Sequence, residues 1–340
     1  MTHCIGLDVG RSSVKIVARS ADGQRSQLDF PSAFCRAFSM TDASAMARAE
    51  QDTVRVRSTD YFVGHTAIIQ GRDDMLGGLT DEWATRPEHV ALILSGLKRL
   101  EAQGLKDAAS SLIVVGLPAR LFASQRKVYQ LAVSEHLPNA QIKVVPQSMG
   151  PYYTMLFDEE GAQLEGFDDS SWAFVEVGQF TTDFALVDRG HVVDRGFDSC
   201  DGMRVAAEQL ERILMDELKT KVTLAEATGL LASPVLRSFG KQIDVRDQVR
   251  RASEILAQTI ANKAGQLFGD SARSLSGIRV AGGGAPLIRD AIAARWTDSP
   301  LGGVIPDDFV AVVPNARFAV AEGFLRFALG LQRSRDAVAA

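Results

Sequence analysis

The sequence predicts a two-domain α/β protein, and three observations carry that expectation. At 340 residues the chain exceeds what one hydrophobic core usually organises. Apolar strand-like runs alternate with stretches of helical periodicity along most of its length. An acid-Val-Gly turn followed by hydroxyl side chains occurs near the start and again half a chain later, as expected of two related domains.

The first of these turns begins with an apolar strand at residues 4–9, holding Asp8, and reverses through Gly10, Arg11, Ser12 and Ser13. The returning strand carries Val14, Lys15, Ile16 and Val17. Residues 27–30 supply a third strand that Pro31 ends. Residues 39–51 read as a polar surface loop, and residues 54–56 and 61–63 as a small satellite hairpin, so a minor subdomain is expected at about residues 31–75.

Val90, Ile93, Leu94, Leu97 and Leu100 recur at helical spacing within residues 88–103, and Gly104 stands where such a helix stops. A buried strand at residues 112–115 is closed by Gly116, Leu117 and Pro118. A helix over residues 124–135 and a strand over residues 142–145 follow. Residues 146–150 form the crossing between domains, ahead of a short helix at residues 152–157 and a loop at residues 158–171.

The second turn repeats the first: Glu176, Val177 and Gly178 lead through Gln179 and Phe180 to Thr181, Thr182 and Asp183, and an apolar strand returns. Asp188 to His191 makes a further turn. Asp201 and Gly202 open a helix patterned by Met203, Ala206, Ala207, Leu210, Ile213 and Leu214, and residues 223–231 and 245–268 add more helix. A strand at residues 277–281 runs into Gly282, Gly283 and Gly284, with Pro286 suited to the first turn of the next helix. The final helix, within residues 315–331, is expected to pack back onto the first domain. Domain I thus comprises residues 1–150 and 315–340, and domain II residues 151–314.

A net charge of −5 gives no general attraction to nucleic acid, so any DNA contact would run through an adaptor. The 3 cysteines are far apart and lack CxxC spacing, which argues against a disulfide framework or a thiolate metal site. The 5 histidines show no HExxH pairing, and no GxSxG is present. With no basic leader and no apolar run near the roughly 18 residues of a membrane span, a soluble cytoplasmic protein is expected, without direct membrane contact. Arg246, Arg250 and Arg251 read as a solvated helix face.

Tight glycine turns between buried strands let backbone N–H groups approach a phosphate, with Ser12, Ser13, Lys15, Thr181 and Thr182 as further donors. Each turn taken alone reads first as a plain polar reversal. Acids beside phosphate repel it, so Asp8 and Glu176 make better sense facing the hydration shell of a magnesium ion, which keeps several waters and uses few carboxylates. Their other reading is as strand-end acids bonded to backbone N–H groups. Gln147 follows a strand and is neutral; its amide can orient an attacking water or simply bond its own loop. Gly282, Gly283 and Gly284 lie where backbone comes close to something, without GxGxxG or GxxxxGK[ST] spacing, so neither a dinucleotide fingerprint nor a P-loop follows.

In order along the chain, these pieces resemble the actin-like ATPase family: phosphate hairpins at residues 5–17 and 174–187, connecting segments at residues 145–152 and 315–325, and an adenosine segment at residues 278–288. Within it, Gly116-Leu117-Pro118, Thr181-Thr182-Asp183 and Phe318 to Phe324 are most similar to the ParM/StbA plasmid-segregation actins. The resemblance implies a duplicated, ribonuclease H-like two-domain fold with ATP, or GTP, and Mg2+ in a cleft between domains. It places Asp8 and Glu176 near the metal through water, Gln147 at the hydrolytic water, and both turns on the phosphates. Gly202 and the triple glycine would lie by ribose and base, with the connections as a hinge. It further implies a nucleotide-dependent filament of the chain with itself, moving a plasmid through the DNA-binding adaptor of a partition system. Two features depart from the pattern: Glu176 stands where aspartate is usual, and Gln147 where ParM relatives often carry glutamate. The rival readings are a non-polymerising actin-like ATPase and a small-molecule kinase of the superfamily, which needs a carboxylate base.

Overall fold

The computed structural model describes residues 2–71, 81–167, 169–269, 271–297 and 306–339. Packing divides the chain into two compact units, Met1–Leu164 with Val320–Ala340, and Glu165–Ala319. The expected limits at residues 1, 75 and 340 lie outside the described residues.

In the first unit, β1 (Cys4–Val9), β2 (Ser13–Arg19) and β3 (Arg25–Pro31) form an antiparallel meander. The chain continues through β4 (Phe34–Arg36), α1 (Ala43–Asp52), β5 (Thr53–Val56), β6 (Thr59–Val63), α2 (His65–Gly71) and α3 (Pro87–Ala102). Then come β7 (Leu112–Leu117), α4 (Ala119–His136), β8 (Gln141–Pro146) and α5 (Gly150–Leu156). The main sheet runs β3-β2-β1-β7-β8, with β7 parallel to both neighbours. Every residue of β1 and β7 is buried, which is why both are near-continuous apolar runs, whereas β3 at the edge exposes alternate polar side chains. The minor sheet β4-β6-β5 carries its own small core of Cys35, Ala49, Phe62 and Ala67.

The loop expected at residues 39–51 is largely helix. Asp42 caps α1 by accepting from the Ser44 and Ala45 N–H groups, and the helix buries only Ala49. It rests on good helix formers and a cap, with no apolar stripe to announce it.

The second unit contains β9 (Trp172–Val177), β10 (Thr181–Asp188), β11 (His191–Val192), β12 (Asp198–Asp201), α6 (Arg204–Leu218) and α7 (Leu224–Ala232). It goes on through β13 (Val235–Ser238), β14 (Lys241–Asp244), α8 (Arg246–Phe268), β15 (Gly277–Ala281), α9 (Ala285–Thr297) and β16 (Val310–Val312). Its sheet runs β11-β10-β9-β15-β16, with β12 also on β10. The reversal at Asp188 to His191 has Arg189 at φ 46° and Gly190 at φ 72°, two left-handed residues whose twist suits a tight hairpin. Arg246, Arg250 and Arg251 on α8 pair with Asp244, Glu254 and Glu217 on an exposed face, as the solvated reading expects.

One plan serves both units: an antiparallel hairpin whose first strand takes a parallel partner on its other side. The registers align Asp8 with Lys15 in one, and Glu176 with Asp183 in the other. The last helix, α10 (Ala319–Ala339), lies mostly in the first unit, where it crosses α5 closely. A Cβ on Gly323 would sit 1.8 Å from the Gly150 carbonyl oxygen, and one on Gly150 would sit 2.5 Å from Val320 Cα. Only paired glycines admit that approach.

Candidate functional site

In the first unit three of the candidate side chains converge. Asp8, near the end of β1, and Lys15, opposite it on β2, lie on one face of the hairpin, and Lys15 Nζ stands 3.1 Å from Asp8 Oδ2. The Gln147 amide donates to the other carboxylate oxygen, Oδ1, at 3.1 Å, across 139 residues of sequence. Gly116 at the end of β7 makes room: a Cβ there would lie 2.6 Å from Gln147 Cγ and 2.8 Å from the Phe324 ring. All three side chains are largely withdrawn from water, so the Asp8 charge acts with reduced screening. Its field reaches the buried Tyr129, whose phenol is held well above its ordinary value, by burial first and by Asp8 second.

The turn between β1 and β2 is fixed from behind by a residue the sequence reading did not single out. Ser32, just past β3, donates its hydroxyl to the Gly10 carbonyl and its N–H to the Ser12 carbonyl at 3.0 Å. In a trans peptide C=O and N–H point opposite ways, so this pinning turns the Arg11 and Ser13 N–H groups away from Ser32. Ser12 is exposed and Arg11 half-buried on the turn, while Ser13 is buried. The only sequence signal was the Pro31-Ser32 end of the strand.

In the second unit the candidates gather around Glu176. The turn is closed by the Gly178 N–H on the Thr181 carbonyl, 2.9 Å. The start of α6 is laced to it: Gly202, Met203 and Arg204 N–H groups donate to the Phe180, Gly178 and Gln179 carbonyls at 3.1, 3.0 and 2.7 Å. From the bend after β15 the Gly284 N–H donates to the Val177 carbonyl at 3.1 Å. Gly282 has φ 88°, and a Cβ on it would strike the Val177 carbonyl at 2.4 Å and Glu176 Oε1 at 2.7 Å, so glycine is required twice over. A Cβ on Gly283, by contrast, would meet nothing within 4 Å, leaving open space at that bend.

The predicted donors divide. The Thr182 hydroxyl is buried and committed to the Asp201 carbonyl at 3.0 Å, and the Gln179 amide to Thr228 Oγ1 at 3.0 Å. The Thr181 hydroxyl donates to Asp183 Oδ2 at 2.9 Å, beside Glu176 in the register. Phe180 lies under the Arg204 guanidinium, 5.8 Å from its ring centre.

In the first unit Lys15, the turn N–H groups and the Ser12 hydroxyl have the chemistry to bind phosphate, and Asp8 that to face a hydrated hard cation. In the second unit Glu176 has the same chemistry as Asp8, and the bend at Gly283 has room beside it. Among the described residues no group of three or more His, Cys, Asp or Glu side chains could hold a metal directly, and none of the helices is long and apolar enough to cross a membrane.

A duplicated hairpin sheet with its acids, glycine turns and crossed connections defines an actin-like fold, and family comparison agrees. Residues 6–150 match the family described as actin like proteins N terminal domain, and residues 174–294 match archaeal actin homologue MreB-like, C-terminal. The chain is therefore a member of the actin-like proteins. A search of curated proteins by sequence found no match. Among solved structures it resembles the subunit of a 15-stranded ParM filament from Clostridium botulinum (20% identity, 96% of this chain and 99% of that one, TM-score 0.71). It is similar also to the archaeal actin homologue Ta0583 (20%, 96% and 98%, 0.70) and to the actin-like protein Alp7A (14%, 98% and 98%, 0.74). At such identities the likeness establishes the shared fold.

Proposed function

We propose that the chain binds and hydrolyses ATP with magnesium, and that its nucleotide state governs assembly into filaments. The observation that carries this reading is the convergence of Asp8, Lys15 and Gln147 beside a glycine turn pinned by Ser32. Lys15 is held at Asp8 and has phosphate as its natural alternative partner. The Gln147 amide is placed at the same carboxylate, where it can hold a water for in-line attack. A bound magnesium ion would neutralise charge on the phosphates; Asp8 and Glu176 would hold its waters. In this reading the turn of each hairpin contributes to phosphate binding, and Gly202 and Gly282 to Gly284 to binding of sugar and base.

The neighbours support the reading by analogy. Ta0583 has been captured in complex with ADP, and a ParM of the same fold forms the filament named above. From the ParM likeness we extend the proposal to cytoplasmic plasmid segregation through a DNA-binding adaptor, consistent with the net charge of −5. A kinase would need a carboxylate base where this chain has Gln147.

The test is sedimentation and light scattering with ATP, ADP and no nucleotide. ATP with magnesium is expected to drive the chain into the pellet and ADP to release it. Equal behaviour in all conditions would remove the filament claim, and absence of ATP turnover the enzymatic one.

A further inference from the structure

Gln147 carries its amide on a stem with several rotatable bonds, and such an amide fixes a water in space only when the stem is fixed too. Its Nε2 is tied to Asp8 Oδ1 at 3.1 Å, but a single hydrogen bond leaves the side chain free to pivot about that contact. The packing behind the stem removes this freedom.

The strands β1 and β7 are parallel and buried throughout, yet each contains a glycine, Gly6 in one and Gly116 in the other. Glycine weakens a strand interior and stands there where other atoms approach closely. The register pairs Gly6 with Val114, so alternation along each strand sets Gly6, Asp8 and Gly116 on one face of the sheet. Helix α10 lies on that face. A Cβ on Gly6 would stand 2.0 Å from the Ala321 carbonyl oxygen and 2.4 Å from Leu325 N, so helix backbone presses on the strand just before Asp8. From the same turn of α10 the Phe324 ring, fully buried, reaches the second notch. A Cβ on Gly116 would lie 2.8 Å from both Cε2 and Cζ of Phe324, and 2.6 Å from Gln147 Cγ. The far edge of the ring and the stem of the glutamine thus share the space above Gly116. The helix is locked again where Gly323 crosses Gly150, in the segment that follows Gln147.

We infer that Phe324 is a positioning residue for Gln147: its ring edge braces the stem against Gly116 and so holds the amide at the Asp8 carboxylate. With Nε2 donating to Asp8, the amide oxygen is the end left to accept from a water. Phe324 acts through Gln147, and the inference rests on the reading of Gln147 as the residue that holds the attacking water. A ring that merely filled the core would affect stability without regard to what stands at residue 147.

The experiment measures single-turnover ATP hydrolysis and the ATP dissociation constant in Phe324→Leu and Gly116→Ala, each alone and combined with Gln147→Ala. Leucine keeps an apolar side chain but ends short of Cε2 and Cζ, the atoms at the notch. Phe324→Leu is expected to slow hydrolysis roughly tenfold, with the dissociation constant within about threefold of wild type, because a small misplacement costs rate before it costs binding. Gly116→Ala presses on the same stem from the strand, opens no cavity, and is expected to slow hydrolysis likewise. On the Gln147→Ala background neither change should slow hydrolysis further by more than about twofold, since the stem it acts on is gone. Unchanged hydrolysis in both single variants overturns the positioning role and leaves the proposed function standing. Losses that multiply with that of Gln147→Ala overturn it as well, because they mark a general packing defect. Where circular dichroism shows Phe324→Leu unfolded, Gly116→Ala decides by the same criteria. Wild type that turns over no ATP overturns the proposed function and this inference together.

Discussion

The hairpins β1–β2 and β9–β10 share a backbone plan and differ in charge. Across the first, Asp8 faces Lys15 and the pair is joined at 3.1 Å, with the Gln147 amide on the remaining oxygen. Across the second, Glu176 faces another acid, Asp183, with the Thr181 hydroxyl on Asp183 and glycines close by. Like charges directly opposite on a sheet face are unfavourable unless something balances them. In the proposed reading the first hairpin offers Lys15 to an anion. The second sets two acidic side chains in register where the first sets an acid and a lysine.

The sharpest way to break this contrast is Asp8→Ala. We expect magnesium-dependent ATP turnover to fall about 100-fold or more, with the circular dichroism spectrum unchanged, since one charged group at the reacting phosphates is worth several kcal/mol. Retention of most of the activity would show that the first hairpin does not work through its acid. Gln147→Ala should slow single-turnover hydrolysis on the order of tenfold to 100-fold while the ATP dissociation constant stays within about threefold. Lost binding with unchanged hydrolysis would reverse its role.

The units should also part under acid. The first buries His89, whose Nε2 meets the Tyr129 hydroxyl at 2.9 Å and whose imidazole is pushed down to about 3 by burial. The second unit's histidine, His191, is exposed. A folded value below the unfolded one, 6.5, means stability that is whole above pH 6.5 and is lost as pH falls toward 3. The slope approaches about 1.4 kcal/mol per pH unit in that window. Urea unfolding followed by hydrogen exchange should find the first unit weakening between pH 7 and 5, and His89→Phe should flatten the loss. Uniform weakening of both units would contradict the assignment. The smallest expected effect is that of Ser32→Ala, a roughly threefold to tenfold rise in the ATP dissociation constant, the scale of a lost hydrogen bond, with Ser32→Thr restoring it. No change on alanine would mean the turn holds itself.

How far the sequence was legible follows from how its elements are buried. The strands β1 and β7 are buried throughout, and β9 and β15 nearly so, so their apolar composition largely declares them. The short strands β4, β12 and β16, and the hairpin β13–β14, have three or four residues each, too few to show a periodicity, and they exist because a neighbour pairs with them. The candidate residues were visible as acids, glycines and hydroxyls in repeated order. Their joining was not: Gln147 reaches Asp8 across 139 residues, and Ser32 pins the turn by hydrogen bonds that no spacing encodes. Nor could spacing show that the Thr182 hydroxyl is spent on the Asp201 carbonyl.

The central proposal is that the acids of both turns, Asp8 and Glu176, act in magnesium-dependent ATP hydrolysis. Single-turnover ATP hydrolysis in Asp8→Ala, Glu176→Ala and the double variant tests it most directly, because groups acting on one ion are strongly non-additive. We predict that each single variant loses most of the activity and that the double loses little beyond the worse single. Full activity in Glu176→Ala, or losses that simply multiply in the double variant, would contradict the account.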